Sequence, residues 1–322
     1  MSAPPRGRLR ASSAGLAARL VAWSQRRVGR RSPGMERVLL FLAVGLFLLV
    51  TALALMGFPD TDRPVRWLLL VVGTLLTVPP IAVLNAAEYR ISGEILGHRI
   101  SMVDAFRVSV IASVVNQLPI PGAALVRIRA LRRQGSTYGK ATGSTATVGL
   151  AWIGTTGVVS GIWQLPSDRW SLGLALAGAG VAVLALSYSL IRRQSGAGTA
   201  TGLLAQLVAV ETGTVMLSAV KFWVVLAAIG FPISFGQATV LTVSMVVAAA
   251  TGFFPGGLGI REVVAGALSP LISLPVAVGL LATAVSRVVG MIGFSVVAGT
   301  FLLLGPKSAT GPPPEPAVVP HD

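Results

Sequence analysis

The chain contains no cysteine. Disulfides, thiolate metal sites and cysteine nucleophiles are therefore excluded, and the sequence carries no sign of redox compartment. Histidine is nearly absent: His98 and His321 are the only two, and no metal-ligand spacing surrounds either. Acids are scarce, with 11 Asp and Glu in 322 residues. Charged residues of both signs make up 11%, against about 25% in soluble domains. There is no phosphate-loop pattern, metal-binding histidine pair or Ser/His/Asp set. No enzyme activity, cofactor, metal or catalytic residue is expected. A lone carboxylate such as Glu262, next to Arg261, is weak support for base chemistry.

What the chain does have is apolar residues, 53% of the total. They fall in runs that reach or approach the roughly 20 residues a helix needs to cross a bilayer. Full spans are predicted over 38–57, 67–87 (with Pro79-Pro80 inside), 141–163, 171–191, 202–230 and 276–304. Two further apolar segments are broken. One covers 103–118 and resumes as a short helix over 122–131. The other covers 236–251 and resumes over 258–268. The connection 88–102 reads as polar. The glycines at 154, 157 and 161 suit close helix packing. Arg26-Arg27 ahead of the first run resembles an export signal, but that run is long for a signal core and is read as a span.

The net charge is +15, and nine of the 26 Lys and Arg lie within residues 1–37. Such an arm can suggest nucleic acid. Beside a membrane span the simpler reading is a basic cytoplasmic tail, residues 1–36, touching anionic headgroups; no nucleic-acid partner is expected. Residues 37–304 form the membrane domain, and the Pro-rich tail 305–322 is expected to be disordered.

Charge inside the apolar runs marks the candidate site, because intramembrane charge is costly and usually functional. The break Pro255-Gly256-Gly257-Leu258-Gly259-Ile260-Arg261-Glu262 has a weaker copy in Pro121-Gly122-Ala123-Ala124-Leu125-Val126-Arg127. Both read P-G-x-x-x-x-R, at an offset of 255 − 121 = 134. The same shift lays the first span on the fourth, the second on the start of the fifth, and the third on the sixth. Residues 37–170 and 171–304 thus read as two repeats. Basic loops prefer the cytoplasm. Placing Arg99 and Arg132 both inside makes the segment between them a re-entrant hairpin, and three full spans per repeat invert the second. The hairpin at Pro255 then enters from outside, and the loops 231–235 and 269–275 lack Lys and Arg, as that topology requires. The predicted fold is an all-α polytopic membrane protein. It has about six full spans and two re-entrant hairpins in an inverted repeat, multi-pass in the cell membrane, with both termini cytoplasmic.

Inverted repeats with paired broken helices are a plan of transporters, with sites near the midplane. A helix starting after Pro-Gly offers free N–H groups and the positive end of its dipole. Arg127 and Arg261 follow within two turns, so both breaks suit an anion. Arg287, within the last span, needs a partner, and Glu262 is the natural one. Glu211 and Lys221 are ten residues apart, about 15 Å along one helix, too far to pair; Lys221 is expected to reach toward an interface. Arg129, Arg132 and Arg133 read as an inner anchor. Asn116 and Gln117 are read as capping the broken helix or contacting ligand.

At these residues the chain resembles the transmembrane region of lysylphosphatidylglycerol synthases and related stand-alone, flippase-like membrane proteins. The carrying features are Asn116, Pro119-x-Pro121-Gly122, Arg127, Leu131 and Gly135, then the whole second motif, and then Arg287. The resemblance covers about 37–304 and implies a protein that moves or houses a lipid. It also shows two departures. Ala124-Leu125-Val126 stands where the family has Gly-Glu, and Gly149-Leu150-Ala151-Trp152 where a charged pair is frequent. The copy at Pro121 has thus lost its acid, and the first half-site is expected to be altered, relaxed in specificity or inactive. The synthases' soluble aminoacyl-transferase domain has no counterpart after Leu304, so no synthesis of aminoacylated lipid is expected.

The expected function is translocation of a lipid or lipid-linked substrate with an anionic, phosphate-bearing headgroup. Its partner would be a membrane phospholipid or a polyprenyl-phosphate-linked lipid. The expected contact residues are Asn116, Pro121, Gly122, Arg127, Pro255, Gly256, Gly257, Gly259, Arg261, Glu262 and Arg287. The alternative is a non-transporting membrane subunit that recruits or stabilises a separate lipid-modifying enzyme.

Overall fold

The computed structural model describes residues 64–117, 123–251 and 257–304, together with part of 42–56. The basic tail, the tip 118–122 (with Pro121 and Gly122), the tip 252–256 (with Pro255 and Gly256) and the tail 305–322 lie outside the described residues. So does most of the expected first span, although its described positions are helical.

Among the described residues the fold is entirely helical. The helices are α1 (Trp67–Ile95), α2 (Met102–Gln117), α3 (Ala123–Arg133), α4 (Tyr138–Gln164), α5 (Trp170–Ser195), α6 (Ala197–Ala228), α7 (Phe235–Thr251), α8 (Ile260–Leu268) and α9 (Val276–Leu304). A 3-10 turn, Ser269–Ile272, links the last two. Five helices, α1, α4, α5, α6 and α9, are long and apolar enough to cross a membrane. The chain is thus a multi-pass membrane protein by helix length and composition. Helix is the form such segments must take, since a lone span in hydrocarbon has to satisfy its own N–H and C=O groups.

The helix ends follow local chemistry. α1 runs through the segment expected to be a polar connection and stops only at Gly97, whose φ of 79° accommodates the left-handed turn. There the N–H of His98 reaches back to the carbonyl of Gly93 at 3.0 Å. Gly230, with φ of 87°, ends α6 in the same way. α4 opens on Thr137, whose hydroxyl accepts from the N–H of Lys140.

Packing repeats with the sequence offset. Shifted by 134, α1 falls on α6, α2 on α7, α3 on α8 and α4 on α9 (67 + 134 = 201, within α6). The contacts α1–α2, α2–α3, α3–α4 and α1–α4 then have the mates α6–α7, α7–α8, α8–α9 and α6–α9, and all eight occur. Contacts across the units also match: α4–α6 with α9–α1, and α4–α7 with α9–α2. Each of the last two carries an aromatic pair. Trp163 lies on Phe235 with centroids 4.9 Å apart, and Phe106 lies on Phe301 at 5.0 Å. The centre of the bundle is α1 against α6, the pair the offset maps onto itself.

The expected packing role of the α4 glycines holds, and its partners are glycines of α5. A Cβ on Gly161 would sit 2.6 Å from the Gly173 carbonyl, and one on Gly180 would sit 2.5 Å from the Gly154 carbonyl. Backbone touches backbone along this seam, as in membrane helix pairs built on small residues. Gly178, two positions from Gly180, faces open space. Gly180→Val is expected to destabilise the protein by about 1–3 kcal/mol through overpacking, and Gly178→Val to be near neutral. Thermal unfolding of the two variants in mild detergent distinguishes them.

Candidate functional site

Seven charged side chains are wholly or largely buried within the described bundle: Glu88, Arg127, Glu211, Lys221, Arg261, Glu262 and Arg287. They form two clusters, one on each of the broken helix pairs.

The second cluster lies where α8 begins. Before it, Gly257 and Gly259 take φ of 63° and 78°, conformations glycine adopts without strain. A side chain at 257 would also press on Ala248 of α7. The turn delivers Glu262 to the first turn of α8, fully buried, where one carboxylate oxygen accepts from the Gly259 N–H at 2.9 Å. This is half of a capping box. The other oxygen accepts from Nε of Arg287 at 3.0 Å. Nη2 of Arg287 also donates to the Gly257 carbonyl at 3.3 Å. The expected Glu262–Arg287 pair is therefore present, and it clamps the turn to α9. Gly257 and Gly259 act here through their backbone.

Arg261 has weaker company. Its Nη2 donates to Ser286 Oγ at 3.4 Å, and its guanidinium lies 5.5 Å from the centre of the Phe222 ring, within cation–π range. Its Nε is buried without a partner. Lys221, adjacent to Phe222 on α6, points into the same region and is only 4% exposed. This corrects the expectation that it reaches toward an interface: the protein itself encloses it. No ion pair involves Lys221 or Arg261 among the described residues. Three basic side chains and one carboxylate thus share this cluster, a formal excess of two basic groups at a helix N-terminus.

The first cluster centres on Arg127 of α3. Its two Nη atoms donate to the two carboxylate oxygens of Glu88 on α1, at 2.7 and 2.9 Å. Two parallel bonds of this kind are the strongest ordinary form of the pair. Glu211 of α6 lies within electrostatic reach of both, and Tyr89 within reach of Arg127. The motif itself carries no acid, as read from the sequence, yet its arginine is paired. The acid comes from α1 instead of the motif itself. Glu88 was assigned to a polar connection because it sits close to Arg90, but the helix runs on to Ile95 and buries it. The usable signal was a single acid at the end of an otherwise apolar run.

The two arginines occupy equivalent places. Arg127 shifted by 134 is Arg261, and Glu88 shifted by 134 is Phe222. Each arginine lies on the matching position of the matching helix, on a carboxylate in one unit and on an aromatic ring in the other. Asn116 is exposed on the last turn of α2, while Arg129, Arg132 and Arg133 are exposed on α3. No group of His, Asp and Glu able to hold a metal occurs among the described residues.

No protein-family model matches the chain, and no curated protein matches it by sequence.

Removing one partner of a buried ion pair strands the other, at about 3–5 kcal/mol. Glu262→Met and Arg287→Met are each expected to lower stability on that scale, and the double variant to lose less than the sum. A thermal-unfolding double-mutant cycle in detergent measures the coupling.

Proposed function

We propose that this chain is a flippase-like translocator for a lipid or lipid-linked substrate with an anionic, phosphate-bearing headgroup. The observation that carries this reading is the pair of buried basic side chains in excess of acid, Lys221 and Arg261, beside the start of α8. In a bundle of membrane-crossing helices such charges are costly unless something answers them. The positive end of the α8 dipole favours the same kind of guest. An anionic headgroup entering between α6, α8 and α9 would balance Lys221 and Arg261. Glu262 and Arg287 would hold the turn in shape beneath it.

In this reading the protein lies in the cell membrane with both termini cytoplasmic. Six full spans and two re-entrant hairpins, α2–α3 and α7–α8, form an inverted repeat. The recurring helix contacts and the equivalence of Arg127 with Arg261 support that arrangement, as does the resemblance to the transmembrane region of lysylphosphatidylglycerol synthases. The hairpins would expose the site alternately to the two faces. Arg127 is already neutralised by Glu88, so the second hairpin is the one that takes the headgroup. Proteins of this plan carry cargo without altering it, and the reading assigns no reaction to the chain.

The test is reconstitution in vesicles carrying a fluorescent phosphatidylglycerol, with a membrane-impermeant quencher reporting transfer between leaflets. Arg261→Ala and Lys221→Ala are each expected to slow transfer at least tenfold, and Arg261→Lys by less. Transfer unchanged in both alanine variants overturns the site assignment. Mass spectrometry of lipids retained in mild detergent should show enrichment of one anionic species, and the enrichment should fall in Arg261→Ala.

A further inference from the structure

The first cluster holds more acid than base. Glu88 takes both Nη groups of Arg127, and Glu211 lies within electrostatic reach of the same guanidinium without an ion pair to it. Glu211 sits near the middle of α6, 2% exposed, and its Oε1 is enclosed without a hydrogen-bond partner. The Nε of Arg127 and the hydroxyl of Tyr89 are likewise enclosed and unpartnered. A carboxylate left bare at this depth, beside a second carboxylate, is among the costliest arrangements a membrane interior can hold.

Among the described residues, the helices packed on α6 bring no other buried charge to answer it; Arg90 and Glu94 of α1 pair with each other at partly exposed positions. α1 supplies Glu88 and Tyr89, and α3 supplies Arg127. The only charged residue of α4 is Lys140, which is exposed, and α5 carries only Arg192 and Arg193, both exposed. α7 carries none, and the one charge of α9, Arg287, pairs with Glu262 in the other cluster. Among the described residues no metal-holding group forms there.

We propose that Glu211 is a proton-binding site in the membrane interior, in exchange with Glu88 for Arg127. With Glu88 on the guanidinium, as here, Glu211 holds the proton and is neutral. When Arg127 turns toward Glu211, that carboxyl releases its proton and ionises, and Glu88 takes up a proton in turn. One proton and one positive charge serve two carboxyls in both arrangements. Glu211 and Lys221 stand on the same helix, so a change of partner at one cluster is carried by α6 to the other. This coupling to cargo rests on the translocator reading above; the proton site itself does not.

Infrared difference spectroscopy of the full chain in vesicles, between acid and alkaline buffer, tests the site directly. A protonated-carboxyl band is expected in the wild type, shifted in Glu211→Asp and absent in Glu211→Gln. Persistence of the band in Glu211→Gln, or its absence from the wild type, overturns the proposal. Glu94→Gln, at a partly exposed position paired with Arg90, serves as the control with an unchanged band. For coupling, transfer of fluorescent phosphatidylglycerol is followed under an imposed pH gradient. The gradient-dependent part is expected to fall at least tenfold in Glu211→Gln. A sodium gradient that drives transfer equally well without a pH gradient overturns proton coupling. A wild type that shows the band but no transfer retains the proton site and defeats the translocator reading instead.

Discussion

Charge buried in a bundle built for hydrocarbon has to be answered within the protein or by what the protein holds. The Glu262–Arg287 bond is where the structure depends most on that rule. One carboxylate ties the first turn of α8 to its own glycine turn and to α9 at once. Without it, the broken segment would have no fixed exit direction, and Arg261 would have no fixed position over Phe222. The rest of the second cluster is legible only because this pair is closed: with Glu262 spent on Arg287, Lys221 and Arg261 remain in excess.

Comparison of the two units sharpens this. They share helix order, contacts and the placement of an arginine early in the short helix. They differ in what that arginine meets. A carboxylate returns neutrality to the first unit, whereas an aromatic face in the second offers attraction without cancelling charge. One difference between equivalent positions thus separates a closed ion pair from a buried arginine with no acid on it.

Much of this was readable in the sequence, and the failures have a common cause. The spans announced themselves by apolar length, and the pairing of Arg287 with Glu262 followed from the rule that a lone intramembrane charge needs a partner. The glycines of α4 were rightly read as packing positions, but their partners on α5 could not be named, because small residues carry no directional signal. Glu88 was missed because it precedes Arg90 and Glu94, and a run of charges near a span end looks like a loop. The helix goes on for another two turns beneath them. Lys221 was misplaced for a related reason. Snorkelling is a rule for side chains facing lipid, and hydropathy alone does not tell which face of α6 meets protein.

The unequal answer to the two arginines also bears on the working cycle. A carrier made of two identical opposed halves would rest with equal ease facing either side of the membrane. Here one half is electrically satisfied when empty and the other is not. In the proposed translocator, the empty protein would have a preferred resting side, the one that best shields or hydrates Lys221 and Arg261, and cargo would change that preference by neutralising them. The gradient would still set the net direction, but the return of the empty carrier would be the step that the Glu88-to-Phe222 difference makes slow or fast.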